Sequence, residues 1–362
     1  MNKGLYIHIP FCGRKCSYCD FYSVTDRSYL RDRYTDTAVR NILHAGYVYD
    51  TVYFGGGTPS LMEPRHIERI LSAADITAGA EITMEANPES VNPEKLRAFG
   101  DAGVNRLSFG VQTFSDDVLK GLWRLHDGKK AADAIKYAHK AGFENISADL
   151  MAGLPFPGGK ERIKSDIETL VSLGITHVSV YMLKVEKGTP LSENKDLVSV
   201  IDDDVSAEEY ETAAELLEKN GIFCYEISNF AVKGFECKHN LKYWKCEEYY
   251  GTGPAAHSCT DGKRYMVPAD VERYISSPVQ DVVYTDEESC GEDERLMLRL
   301  RLREWIALEE FPFVREKIGE FAGYGLAEVK DGLFRFSQKG LLLSNALTAE
   351  LLLERDRYAE RK

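Results

Sequence analysis

The sequence predicts an α/β fold: a partial (β/α)6-type TIM-like barrel followed by a small α+β unit of winged-helix character. Two observations carry that expectation. Short runs rich in β-branched and aromatic residues alternate with runs of helical spacing from residue 5 onward. The joints between them also repeat, because DAGVNRLSFG, KAGFENISADL and SLGITHVSV each read as a helix end, a glycine turn and a strand. Recurring units of this kind pack as a parallel sheet with helices outside it.

Strands are expected at 5–9 (LYIHI), 51–54 (TVYF), 80–85 (AEITME), 105–110 (NRLSFG), 145–151 (NISADLM) and 177–182 (HVSVYM). A helix is expected over 65–74, where Ile67, Ile70 and Leu71 share a face, and others follow Pro93, Gly128 and Lys160. A seventh unit would pair a helix at 206–219 with a strand at 222–227, and the acidic run 202–204 reads as a solvated loop leading into that helix. From about Ser289 the grammar changes. EDERLMLRLRL has helical spacing, and VKDGLFRFS reads as a hairpin around Asp331–Gly332. The chain thus divides into a barrel over 1–230, an extension over 231–288 and a C-terminal α+β unit over 289–362.

A net charge of −13, from 45 basic and 58 acidic residues, argues against a nucleic-acid partner, which needs a basic face. No run of about 18 apolar residues marks a membrane span. The opening MNKGLYIHIPFCGRKC interrupts its apolar stretch with His8, Pro10 and Arg14, unlike a secretory signal, so a cytoplasmic protein is expected. Eight cysteines in such a chain point to reduced thiols, some of them used in metal or reactive chemistry.

Three of them, Cys12, Cys16 and Cys19, form C-x3-C-x2-C directly after the first predicted strand. A structural zinc site closes with four ligands, often from two C-x2-C knuckles, and no second knuckle follows. Phe21 stands where a further cysteine would sit. A [4Fe–4S] cluster held by three thiolates leaves one iron open to a small ligand. A zinc site completed by His8, or three unrelated core cysteines, is the plainer alternative. GGGTPS follows the second strand, Glu85 ends the third, Gln112 the fourth and Asp149 the fifth. In a β/α barrel those points meet at one face, where active sites form.

With YIHIPFC (6–12), YFGGGTPS (53–60), EANPE (85–89) and SFGVQTF (108–114), the chain resembles the HemN/HemW group of the radical S-adenosylmethionine (SAM) superfamily. The resemblance covers nearly the whole length. It implies that the open iron of the cluster binds SAM and that one electron cleaves its sulfonium to give a 5′-deoxyadenosyl radical. It further implies that Tyr6, Gly56 and Glu85 contact this SAM. Tyr18, Gly57, Thr58, Gln112, Arg124 and Asp149 match positions that hold a second SAM in the coproporphyrinogen-oxidising relatives.

The second half carries HNLKYW (239–244), which matches the H-N-x-x-Y-W pattern of the HemW-type heme chaperones. That resemblance implies heme as cargo, with His239 as a candidate axial ligand and heme-accepting clients such as respiratory proteins at a membrane. It also implies an electron donor for the cluster. Taken alone, the motif equally suits a packed histidine beside two core aromatics. YYGTGPAAHS (249–258) resembles a glycine-rich stretch of the group, but Ala255 replaces its third glycine, and His257 is expected at the cavity or packed. YMLKVEKGTP (181–190) and YEISNFA (225–231) are expected to line the upper cavity. Cys224, Cys246, Cys259 and Cys290 show no ligand spacing and read as small buried apolar residues, and Cys237 stays open as an iron ligand.

The alternative within the group is an oxygen-independent coproporphyrinogen III dehydrogenase. Phe21 in place of a fourth cysteine, the lack of an arm before the first strand and the HNxxYW motif all favour heme handling. A zinc-bearing binding module remains a third possibility. The acidic balance weighs against a radical enzyme acting on RNA.

Overall fold

A computed structural model describes residues 2–286 and 288–360. Six strands, β1 (Lys3–Ile9), β2 (Val48–Gly56), β3 (Asp75–Ala86), β4 (Arg106–Gln112), β5 (Asn145–Ala152) and β6 (His177–Met182), lie in sequence order, and every neighbouring pair is parallel. Helices Arg31–Ala45, Pro64–Ala73, Pro93–Asp101, Gly128–Lys140 and Gly159–Ser172 connect them. The predicted partial barrel is present.

Alternation along the strands sorts the side chains into two faces. Leu5, Ile7 and Ile9, Val52 and Phe54, Leu107, Phe109 and Val111, and Val178 and Val180 are buried in the apolar core. The intervening positions are small or polar: Gly4, Tyr6 and His8; Thr51, Tyr53 and Gly55; Glu81, Thr83 and Glu85; Ser147 and Asp149; His177 and Ser179. These fill the barrel interior and hydrogen-bond across it, as Ser147 Oγ does with His177 Nδ1 at 2.7 Å. A polar interior gives the barrel a chemical axis as well as a shape.

The sheet continues past both edges of the barrel, and here the expected seventh unit differs. Strand β7 (Phe223–Glu226) does not extend the parallel set. It forms a hairpin with β8 (Asn229–Ala231), and β8 pairs antiparallel with β6. Only Ile227 and Ser228 separate the two strands, too few for a parallel crossover. At the other edge β9 (Tyr249–Thr252) pairs parallel with β1. Then β10 (His257–Thr260), β11 (Lys263–Met266) and β12 (Val283–Asp286) add antiparallel strands to complete a twelve-stranded sheet. The strands of the extension therefore continue the barrel sheet.

The acidic run 202–204 starts a helix instead of forming a loop. The Asp202 carboxylate accepts from the backbone N–H groups of Asp204 and Val205, and Asp203 and Asp204 occupy the first turn of Asp203–Lys219. Negative charge is favourable at that helix end. The C-terminal residues form a separate three-stranded sheet, ordered β13 (Ile306–Ala307), β15 (Leu333–Phe336), β14 (Ala327–Lys330). Asp331 and Gly332 make the turn with φ of 49° and 76°, the left-handed pair expected of Asp-Gly. Among the described residues no helix is long and apolar enough to cross a membrane.

Ala255 takes the glycine-like conformation that its position demands, with φ at 67°. An L-residue there costs roughly 1–2 kcal/mol, while glycine adds some unfolded-state entropy. Ala255→Gly is expected to stabilise the protein by about 0.5–1 kcal/mol, read as a higher urea midpoint at unchanged slope. An unchanged or lower midpoint would show that the strain is absorbed elsewhere.

Candidate functional site

The C-terminal ends of the parallel strands surround a cavity of about 330 Å³. Its wall includes Cys12, Cys16, Tyr18 and Cys19 from the loop after β1, and Gly56, Gly57 and Thr58 from the end of β2. Glu85, Gln112 and Asp149 come from β3, β4 and β5, and Arg124 reaches in from the loop beyond β4. Of the residues expected around a cluster and SAM, only Tyr6 is absent from the wall. Its ring packs against Gly55, and its hydroxyl meets His8 Nδ1 at 3.1 Å.

The cysteine loop is held by its backbone. Cys12 N donates to Val24 O at 3.0 Å, Val24 N to Pro10 O at 2.7 Å and Ser17 N to Leu122 O at 3.2 Å. The glycine turn is docked beneath it, Gly57 N donating to Ile9 O at 2.7 Å and Thr58 N to Phe11 O at 2.8 Å. A Cβ on Gly57 would lie 2.9 Å from both of those carbonyl oxygens, so only glycine lets the two loops approach this closely.

Arg124 ties the polar groups together. Its Nη2 donates to Asn87 Oδ1 at 2.8 Å and to Gly110 O at 2.6 Å, and its Nη1 reaches Cys16 Sγ at 3.4 Å. Asn87 Nδ2 in turn donates to Thr58 Oγ1 at 3.1 Å, which contacts Cys12 Sγ at 3.5 Å. Asn87 sits two residues after Glu85 in EANPE, so its inward direction was available from strand alternation. Gln112 ends β4 with φ at 68°, a strained conformation for a non-glycine residue and one that recurs at functional sites.

Burial governs the ionisation of the site. The Glu85 carboxyl is pushed up to about 7 by burial and by the Asp149 charge, against hydrogen bonds from Tyr53 and the Gly56 N–H. Burial also raises Asp149, and it pushes the Cys19 thiol up to about 11. A bound cation would reverse the thiol shift, because metal ligation takes the thiolate.

The three thiols open onto one cavity without meeting at a point. Among the described residues no three His, Cys, Asp or Glu side chains already form a metal-binding group. Their donor chemistry still suits an iron–sulfur cluster with an open iron: three thiols, no fourth cysteine and no histidine on the wall. The buried Nε of Arg124 also lacks a hydrogen-bond partner among the described residues. His8 does not complete a zinc site, for its Nε2 is engaged by Tyr22 O at 2.9 Å and its Nδ1 by Tyr6.

His239 lies elsewhere. It is fully buried in the helix Lys238–Trp244, with Nδ1 against Thr51 Oγ1 and Nε2 against Tyr243 OH, each at 2.8 Å. Thr51 pairs in register with Gly4 and Glu81, toward the strand starts, whereas the cysteine loop follows the strand ends. Five residue steps along β2 separate Thr51 from Gly56, a span of roughly 16 Å. As an axial ligand, His239 would have to give up one of these bonds and open a packed floor. Cys237 is buried beside it, its thiol against Glu81 Oε1 at 3.5 Å and pushed up to about 12 by burial.

His257 is exposed and does not line the cavity. Tyr181 of the YMLKVEKGTP stretch does line it, as do Arg14 and Lys15 of the cysteine loop. The remaining cysteines are not uniformly buried. Cys224 and Cys259 are, but Cys246 and Cys290 are partly exposed. Cys259 and Cys290 place their sulfurs 3.8 Å apart, and Cys290 Sγ lies 3.7 Å from Cys246 O. Their spacing of 13 and 31 residues carried no signal, because the contact depends on where β10, between β9 and β11, falls against the segment before the helix Glu292–Arg299.

Comparison with known proteins agrees with this geometry. The Radical SAM superfamily profile matches residues 6–165. The heme chaperone HemW of Lactococcus lactis is 33% identical, covering 97% of this chain and 98% of its own. That of Bacillus subtilis is 35% identical over 97% of this chain and all of its own. Among solved structures, the coproporphyrinogen III oxidase HemN of Escherichia coli superimposes with a TM-score of 0.78 at 19% identity, covering 97% of this chain and 90% of that one. The HemN likeness concerns the fold, and the two relatives add full-length sequence identity above 30%. The chain belongs to the radical SAM superfamily and, within it, to the HemW family.

Proposed function

We propose that this protein is a cytoplasmic heme chaperone that binds a [4Fe–4S] cluster, SAM and heme and passes heme to client proteins. The observation that carries the proposal is a cavity wall bearing three thiols and no fourth cysteine, in a chain similar over its full length to proteins described as heme chaperones. Cys12, Cys16 and Cys19 would hold the cluster. A cluster of this type with SAM on its open iron supplies one-electron chemistry when bound. The protein's own part is to bind and orient. The Glu85 carboxylate accepts from hydroxyl or amino groups, and the Arg124 guanidinium suits a carboxylate. Tyr18, Gly57, Thr58, Gln112 and Asp149 complete the polar wall.

Heme, as cargo, needs a flat apolar face with cations for its carboxylates. The cavity wall offers exposed aromatic side chains, Phe21 at 64% and Tyr181 at 43%, and Arg14 of the same wall lies with its guanidinium 5.6 Å from the ring centroid of Trp123, itself 41% exposed. Arg14 and Lys15 line the same cavity. These features support heme at this cavity better than at the buried His239.

The test is a heme titration of the anaerobically reconstituted protein run beside a coproporphyrinogen III turnover assay. The proposal expects saturable heme binding near one per chain and no protoporphyrinogen. Formation of protoporphyrinogen would assign the chain to the oxidising alternative.

A further inference from the structure

The polar interior of the barrel links the HNLKYW helix to the cofactor cavity through one tyrosine. The His239 imidazole, held on both nitrogens by Thr51 and Tyr243, packs against the Tyr53 ring with centroids 5.3 Å apart and planes 31° apart. Tyr53 OH donates to Glu85 Oε1 at 2.9 Å, and Gly56 N donates to Oε2 at 3.3 Å. Gly55 permits this stack, for a Cβ there would fall 3.0 Å from Tyr6, 3.1 Å from Tyr53 and 3.2 Å from Glu85. Each carboxylate oxygen of Glu85 therefore has one anchor on the protein side, which leaves lone pairs directed to the cavity.

We infer that Tyr53 is a positioning residue for Glu85, and that the HNLKYW helix acts through His239 as the floor holding Tyr53 in place. This rests on Glu85 contacting SAM, as proposed above. It gives the motif a role without exposing its histidine.

The groups facing Glu85 define how that role can be read. They are Tyr6 from β1, Tyr53 from β2, Arg106 from β4, Asp149 from β5, Tyr181 from β6 and Tyr243 from the helix. Burial and Asp149 raise the carboxyl, while Tyr53, the Gly56 N–H and Arg106 lower it. With the carboxyl near 7, loss of the Tyr53 hydroxyl favours the protonated form at neutral pH. His239 adds no charge change of its own there, because burial, Lys242 and Arg106 hold it down to about 3.

The experiment measures SAM affinity of the reconstituted full chain by equilibrium dialysis, from mildly acidic to mildly alkaline pH. Tyr53→Phe, which keeps the ring and removes the hydroxyl, is expected to weaken SAM binding roughly tenfold at neutral pH. It should also move the acid limb of the profile up by about one unit, with the cluster absorbance retained. Tyr243→Phe, which frees one side of His239, should shift the limb the same way by less. A wild-type profile for Tyr53→Phe would overturn the positioning role, and one for Tyr243→Phe would overturn the floor. Glu85→Gln separates this from the underlying proposal: if it leaves SAM affinity unchanged, Glu85 does not meet SAM and both fall together.

Discussion

Alanine at Cys12, Cys16 or Cys19 should abolish the cluster absorbance after reconstitution and remove SAM binding with it. Among the described residues the three thiols are the only cysteines on the cavity wall, so no neighbour there can substitute for a lost ligand. The fold should hardly notice. All three side chains are partly exposed, and the loop is fixed by backbone hydrogen bonds that alanine keeps. A stability change within about 1 kcal/mol is therefore expected, measured by urea unfolding of the cluster-free chain. Full iron and sulfide occupancy in any one of the variants would refute the ligand assignment.

His239→Ala should do the reverse. It removes a fully buried ring on which Thr51, Tyr243 and Tyr53 all depend. Two buried hydroxyls lose partners and a cavity opens beneath β1 and β2, so a loss of about 2–4 kcal/mol is expected. Heme absorbance at saturation should remain that of the parent protein. A variant of parental stability with an altered heme spectrum would restore His239 as an axial ligand and contradict the floor described here.

The barrel and its cavity were legible in the sequence because both follow from local rules. Gly103, Gly142 and Gly174 all take positive φ at the helix-to-strand joints that predicted them. The cysteine loop, GGGTPS, Glu85, Gln112 and Asp149 met at one face because parallel strands bring all their ends to the same side. What escaped was set by contacts between distant segments. Phe223–Glu226 has strand composition, but its direction is decided by the tight turn to β8. Tyr6 shares a strand with the cysteine loop, yet its hydroxyl is drawn to His8 beside the cavity. His239 could not be placed by its spacing to Tyr243 and Trp244. Its environment comes from Thr51 and Glu81 on strands that lie far away in sequence.

Ala255 was readable as a departure from a glycine-rich pattern, and its left-handed backbone shows that the turn kept its shape when the residue changed. The meeting of Cys259 with Cys290 had no such local sign. It arises from the placement of β10 between β9 and β11, which only the folded chain defines.

The cavity at the strand ends is proposed as a cluster-and-SAM pocket. The most direct measurement is iron and acid-labile sulfide analysis of the reconstituted chain, with electron paramagnetic resonance of its reduced form recorded before and after SAM is added. About four irons and four sulfides per chain, with a spectrum that changes on adding SAM, is the expected result. Zinc without sulfide, or a cluster whose spectrum ignores SAM, would contradict it.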